Sequence, residues 1–220
     1  MIVVIQCAAR KRLNAGCFRT NEGKQVLFVA RPDQAPPASD RSYARPDDPT
    51  EEGFSWRELV VRYNKTPDDN PFGLLPAYEL YDNDAYRNLA SRVGVGNTFI
   101  LSAGWGLIAA SFLTPRYDVT FSAAADGYKR RLRDDPYRDL NLMPEGLDAP
   151  MLFFGGKDYL PLFSRLTSAY RGSRVVFYNS IKRPDVAGCR LQRFDTTTRT
   201  NWHYECARAF LDGGITCAAQ

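Results

Sequence analysis

Few side chains in this chain could do chemistry, and their types are those of acids, bases and nucleophiles. The only histidine, His203, has the one side chain whose ordinary pKa lies near neutrality and is the clearest candidate proton donor or acceptor. Asp118, Asp158, Asp195 and Glu205 are carboxylates able to activate water, and Asn179 is a polar amide at a strand end. Cys7 becomes a nucleophile where a neighbouring cation lowers its thiol pKa. His203 and Cys206 lie three residues apart and share one side of a helix, as do Trp202 and Glu205. With Cys189 the first pair has the types of a Cys-Cys-His zinc set. No close ligand pair on a second strand and no clear fourth ligand accompany it, so no metal is assigned. There is no Gly-x-Ser-x-Gly elbow, and Gly155-Gly156-Lys157-Asp158 lacks the glycine spacing and Lys-Ser/Thr ending of a phosphate loop. The competing description of both single residues is structural: an imidazole packed with Trp202 and Tyr204, and a buried thiol at Cys7.

Four apolar runs must position these groups. Ile2 to Ile5 leads into Gln6-Cys7 and the basic Arg10-Lys11-Arg12. Thr98 to Leu101 empties into Ser102-Ala103-Gly104-Trp105-Gly106, Met151 to Phe154 into Gly155-Gly156-Lys157-Asp158, and Arg174 to Tyr178 into Asn179-Ser180. Short runs rich in strand formers and bounded by glycine or polar residues describe central strands of a parallel sheet. Right-handed crossovers would bring their carboxyl ends to one edge, where α/β folds bind ligands. The expected fold is therefore α/β: one three-layer domain over residues 1–220, a mainly parallel sheet flanked by helices, with an irregular insertion around 31–55. The expected pocket collects Cys7, Ser102, Trp105, Tyr117, Gly155, Gly156 and Asp158, with Trp105 as a flat platform and the glycines exposing backbone donors to an anion. The Ser102–Gly106 stretch equally describes a tight turn whose Trp and Leu plug the core.

Between these strands, Val26 to Ala30 reads as another strand, and the proline-rich stretch after it as a lid, a recognition loop or a passive excursion. Trp56 to Tyr63 has the pattern of a short amphipathic helix. Pro76 to Val93 has that of a longer one, stopped by Gly94. Phe121 to Asp135 reads as a basic helix whose Lys129, Arg130 and Arg131 could hold phosphate oxygens, or form an ordinary exposed face. Tyr159 to Tyr170 reads as a helix. So does the segment after Thr200 or Asn201, which can cap a helix running to Leu211 and stopped by Gly213-Gly214.

At 220 residues and 44% hydrophobic content, the chain can bury one substantial core. Its formal charge of +4 is unevenly spread. Arg165 to Phe210 carries nine Lys or Arg against three acids, whereas Arg31 to Glu58 carries seven acids against four arginines. Such polarity suits a protein that faces phosphates in one direction, and equally a solvated basic face. Five widely spaced cysteines, Cys7, Cys17, Cys189, Cys206 and Cys217, with no apolar leader before Ile2, favour a reducing cytoplasm. Phe99 to Leu113 is too short and glycine-broken for a membrane span.

Three stretches carry a resemblance: Val3 to Lys11 (VVIQCAARK), Ala77 to Ala90 (AYELYDNDAYRNLA) and above all Ile100 to Asp118 (ILSAGWGLIAASFLTPRYD). They resemble the uncharacterised domains related to the YaaA peroxide-stress proteins, with a more distant similarity to uracil-DNA-glycosylase-like folds. The matching positions are Cys7, Lys11, Leu101, Ser102, Trp105 to Leu107, Pro115, Tyr117 and Asp118, with Trp105 where the family commonly has tyrosine. The resemblance implies DNA or modified-base biology. The leading expectation is a base-processing enzyme, most concretely a DNA glycosylase acting on a damaged or modified base in DNA. In it Trp105 or Tyr117 stacks on the base, Asp118 activates water, Asn179 or His203 contacts the leaving base, and Lys11, Lys129, Arg130, Arg131, Lys182 and Arg183 meet phosphates. This mechanism needs neither metal nor organic cofactor. The alternatives are a noncatalytic DNA-binding stress or defence protein and a nucleotide or nucleoside hydrolase.

Overall fold

A computed structural model describes residues 1–66 and 69–215. In chain order the strands are β1 (Ile2–Gln6), β2 (Gln25–Phe28), β3 (Arg41–Ala44), β4 (Leu75–Pro76), β5 (Thr98–Ser102), β6 (Gly106–Ala109), β7 (Leu113–Thr114), β8 (Leu140–Asn141), β9 (Met151–Phe154), β10 (Arg174–Tyr178) and β11 (Arg190–Arg193). The α-helices are α1 (Trp56–Tyr63), α2 (Ala77–Leu80), α3 (Ala85–Val93), α4 (Leu160–Leu166) and α5 (Trp202–Leu211). Seven strands form the central sheet in the order β11-β10-β9-β1-β5-β6-β8. From β11 to β5 all pairs are parallel; β6 runs antiparallel to β5 and β8 pairs parallel with β6. The structure is α/β with a mostly parallel sheet flanked by helices, as the apolar runs require.

The layers follow from side-chain alternation along β9, since successive residues of a strand point to opposite faces. Phe153 stacks on Phe163 of α4 at 4.3 Å, while Phe154 meets Phe177 and Phe210 of α5 at 5.1 and 5.6 Å. Helices α4 and α5 therefore cover opposite faces, with α3 packed beside α5. Covered on both sides, β1 has no polar alternation: Ile2 to Ile5 are all at most 2% exposed.

Local signals account for some elements. Ser55 and Glu58 form a reciprocal capping box at α1. Gly94, at φ +102°, closes α3. Elsewhere tertiary contacts override them. The expected Pro76–Val93 helix is broken between α2 and α3, because Tyr81 turns extended, bridges Lys11 and buries its ring completely. The expected helix after Tyr159 is shorter, ending at Leu166. The expected Phe121–Asp135 helix is absent apart from a single 3-10 turn at Gly127–Lys129. That segment instead folds back on itself, with the Arg131 amide donating to Thr120 O at 2.8 Å. Strand β2 leaves the central sheet and pairs in parallel with β3, inside the stretch expected to be irregular.

The Ser102–Gly106 stretch is the tight turn of the β5–β6 hairpin. Gly106 has φ +95°, and a Cβ there would lie 2.3 Å from Leu140 O, so only glycine lets β8 approach. Two buried guanidiniums hold the turn from behind. Arg57 donates to Gly104 O and Trp105 O, each at 3.0 Å, and pairs with Asp47. Arg131 donates to Ala103 O at 2.7 Å and pairs with Asp139, whose side chain is fully buried. Among the described residues no helix is long and apolar enough to cross a membrane.

Breaking a buried ion pair strands a charge, which costs about 3 kcal/mol or more. Asp139→Asn is accordingly expected to lower the unfolding free energy by about that amount in urea denaturation; an unchanged midpoint would contradict the role given to the Arg131–Asp139 pair.

Candidate functional site

Strand β1 lies mid-sheet: the chain leaves it towards β5 on one side and returns on its other side as β9, from which β10 and β11 step further out. The loops after β1 and β9 therefore diverge, and the carboxyl edge between them is the switch point at which open α/β sheets form a crevice. A cleft of about 1060 Å³ opens there. It is lined by residues 6–10, 82–84, 120, 122, 155–160, 177–180, 184, 199–204 and 208. Gln6 spans the crevice, its Oε1 accepting from the Gly156 amide at 2.6 Å.

Of the expected site residues, Cys7, Gly155, Gly156, Asp158, Asn179 and His203 line this cleft. Gly156 does not serve as a free anion donor there. The Gly156 amide is taken by Gln6, and Gly155 is glycine because a Cβ would stand 2.3 Å from the Phe153 ring. Asp158 is exposed. Asn179 donates to Thr198 O at 3.2 Å, leaving its carbonyl oxygen for a ligand. Lys182 and Arg183 are exposed on the loop between Ser180 and Pro184, both of which line the cleft.

Trp105, Ser102 and Tyr117 are interior residues, at 0, 0 and 1% exposure, and stand outside the cleft lining. Trp105 packs edge-on to Phe28 at 5.0 Å and lies 5.5 Å from the Arg57 guanidinium, so it plugs the core. Ser102 Oγ accepts the Gly104 and Trp105 amides and donates to the Tyr117 hydroxyl at 2.8 Å. Tyr117 is in turn bonded to Tyr81 at 2.8 Å. Cys7 Sγ lies 3.2 Å from the Tyr159 hydroxyl and accepts the Ala103 amide at 3.4 Å. Burial pushes Tyr81, Tyr86, Tyr117 and Tyr159 well above the ordinary phenol range, so this floor beneath the cleft is a set of protonated hydroxyls.

The expected phosphate track is largely taken up by the fold. Lys11 is 9% exposed; its Nζ sits 4.0 Å above the Tyr117 ring with no hydrogen-bond acceptor among the described residues, and burial lowers its pKa to about 8. Lys129 is tied to Asp118 at 3.1 Å and to Asp126 at 2.9 Å, which raises its pKa further. Arg131 is internal, and Arg130 alone of the three points outward. Asp118, held by Lys129 and absent from the cleft lining, is not placed to activate water in the cleft.

Several lining groups were missing from the expected site: Gln6, Tyr159, Arg199 and the Asp82–Asp84 turn. Position after an apolar strand could have flagged Gln6; nothing local distinguishes Arg199 from the other arginines of its basic segment. The cleft cations Lys157, Arg199 and Arg208 have no ion pair among the described residues, whereas Arg10 pairs with Asp82 at 3.0 Å. No family model, curated protein or solved structure matches the chain.

Cys7, Cys17 and Cys189 are free thiols, and Cys217 lies outside the described residues. Asp195 pairs with Arg193 at 3.0 Å, and Glu205 is tied to the Thr196 and Thr198 hydroxyls. Among the described residues no group of three His, Cys, Asp or Glu side chains is placed to hold a metal.

His203 is 3% exposed and burial lowers its pKa from 6.5 to about 4. The unfolded chain thus takes up a proton that the folded chain resists. Stability from this group is complete above pH 6.5 and lost as pH falls towards 4, a total of about 3 kcal/mol. His203→Gln is expected to flatten that part of the pH–stability curve; superimposable curves for the two proteins would contradict it.

Proposed function

We propose that the protein hydrolyses the N-glycosidic bond of a nucleotide unit held in the switch-point cleft. The observation that carries this reading is the coincidence, in one cleft, of an exposed carboxylate (Asp158), an amide with an open acceptor (Asn179) and cations with no ion pair among the described residues (Lys157, Arg199, Arg208). Such a lining suits a ligand with an anionic group, a sugar and a base. In the reaction water attacks C1′ of the sugar, the C1′–N bond breaks with its electron pair passing to the base nitrogen, and the proton given up by the water ends on that nitrogen, so that the base leaves neutral and the sugar keeps a hydroxyl at C1′. Asp158 orients the water and offsets positive charge on the sugar, and Asn179 contacts the base. Asp158 thus takes the part expected of Asp118.

Processing of a base within DNA is the form of this reading that the resemblance of the Ile100–Asp118 stretch to YaaA-related domains favours. The exposed Lys182 and Arg183 at the rim support it, in place of the Lys129–Arg131 track. The free thiols of Cys7, Cys17 and Cys189 agree with a reducing compartment such as the cytoplasm.

The test is incubation with DNAs bearing modified bases and, separately, with free nucleosides and nucleotides, followed by mass spectrometry of released base. Release is expected to fall by about 100-fold or more in Asp158→Asn and to persist in Asp118→Asn. Absence of release from every substrate, or full activity in Asp158→Asn, would overturn the proposal.

A further inference from the structure

We propose that the first turn of α5, with His203 and Arg199, forms a phosphate subsite in the wall of the cleft. The inference rests on the reading of the cleft as a nucleotide site and names the group that is anchored there. Helix α5 runs ten residues from Trp202 to Leu211, long enough to present a positive amino end. Its cap residue, Asn201, sits at φ 62° and makes no side-chain cap hydrogen bond. The Tyr204 amide returns to Asn201 O at 3.0 Å, while the Trp202 and His203 amides have no acceptor among the described residues. Residues 199–204 all line the cleft, so this uncapped end opens onto it.

The second observation is independent of the helix. His203 is 3% exposed, lines the cleft, and its Nε2 is buried without a hydrogen-bond partner. An unsatisfied buried ring nitrogen costs stability that a ligand hydrogen bond would recover. The acid in the first turn of α5, Glu205, does not compete for the role: its carboxylate accepts from the hydroxyls of Thr196, at 2.7 Å, and Thr198, and it is not part of the cleft lining. Arg199 is exposed at the mouth of the site and supplies the full positive charge that a neutral imidazole lacks. Backbone amides at a helix start, one imidazole N–H and one guanidinium are together a donor set for a tetrahedral oxyanion. A phosphate seated there places the attached sugar in the cleft shared with Asp158 and Asn179.

Because His203 is the only histidine, its imidazole gives one set of NMR signals. The experiment follows them while wild type, Arg199→Ala and Arg208→Ala are titrated with inorganic phosphate, ribose 5-phosphate, ribose and a short single-stranded oligonucleotide. Saturable shifts with phosphate and ribose 5-phosphate, none with ribose, and an affinity about tenfold weaker in Arg199→Ala are the expected result. Displacement of ribose 5-phosphate by the oligonucleotide would identify a strand as the source of the phosphate, and failure to displace it a free nucleotide; both support the subsite. No shift with phosphate or ribose 5-phosphate at about 10 mM, or equal affinity in wild type and Arg199→Ala, would overturn it. Base release without a phosphate response would remove the subsite and leave the glycosidic reading standing; a phosphate response without base release would do the reverse.

Discussion

The constraint on which the molecule turns is the position of β1. A central strand from which the chain departs to one side and returns on the other cannot have its carboxyl end roofed by its own connections, so a crevice remains between the loops after β1 and β9. The bond from the Gly156 amide to Gln6 Oε1 ties the two loops together across that crevice. Helix α5 closes one wall by packing on the face that carries Phe154, and its first turn is thereby brought to the strand ends. The fold delivers Asp158, Asn179 and His203, far apart in sequence, to one place through register and layer alone.

The same edge holds a second, sealed set of polar groups. At the β5–β6 turn, three successive carbonyls point inward and are satisfied by Arg57 and Arg131, each neutralised by a buried or nearly buried carboxylate. Beneath the cleft, Ser102, Tyr117, Tyr81, Tyr159 and Cys7 satisfy one another with few losses. Such networks fix geometry, because a partly satisfied buried polar group is costly. Lys11, like Trp105 Nε1 and Arg131 Nε, departs from this pattern: it is a buried ammonium over a phenol ring, with its pKa drawn down towards neutrality.

Strands β1, β5, β9 and β10 and helix α5 were legible in the sequence because burial on both faces demands unbroken apolar runs and the helix carries its own stop at Gly213. The Ser102–Gly106 stretch was not, since glycines, an aromatic and a hydroxyl have the same composition whether they shape a pocket or a plugged turn. What decides between them is Arg57 and Arg131, which are distant in sequence and look like surface charges. The basic Lys129-Arg130-Arg131 run misled for the same reason: the partners of its first and third members, Asp118 and Asp139, are chosen by tertiary structure. Cys7, Asp158, Asn179 and the two glycines were reachable from strand ends, as Gln6 would have been, and His203 as the only histidine of the sequence; Arg199 enters through packing that no local pattern encodes.

Amide hydrogen exchange along the whole chain, with and without a saturating nucleoside 5′-monophosphate, tests most directly whether the switch-point cleft is the ligand site. Slowed exchange is predicted in residues 6–10, 155–160, 178–180 and 199–204, with the 103–106 turn unchanged. Protection confined to other segments, or no change anywhere, would contradict the assignment of function to this cleft.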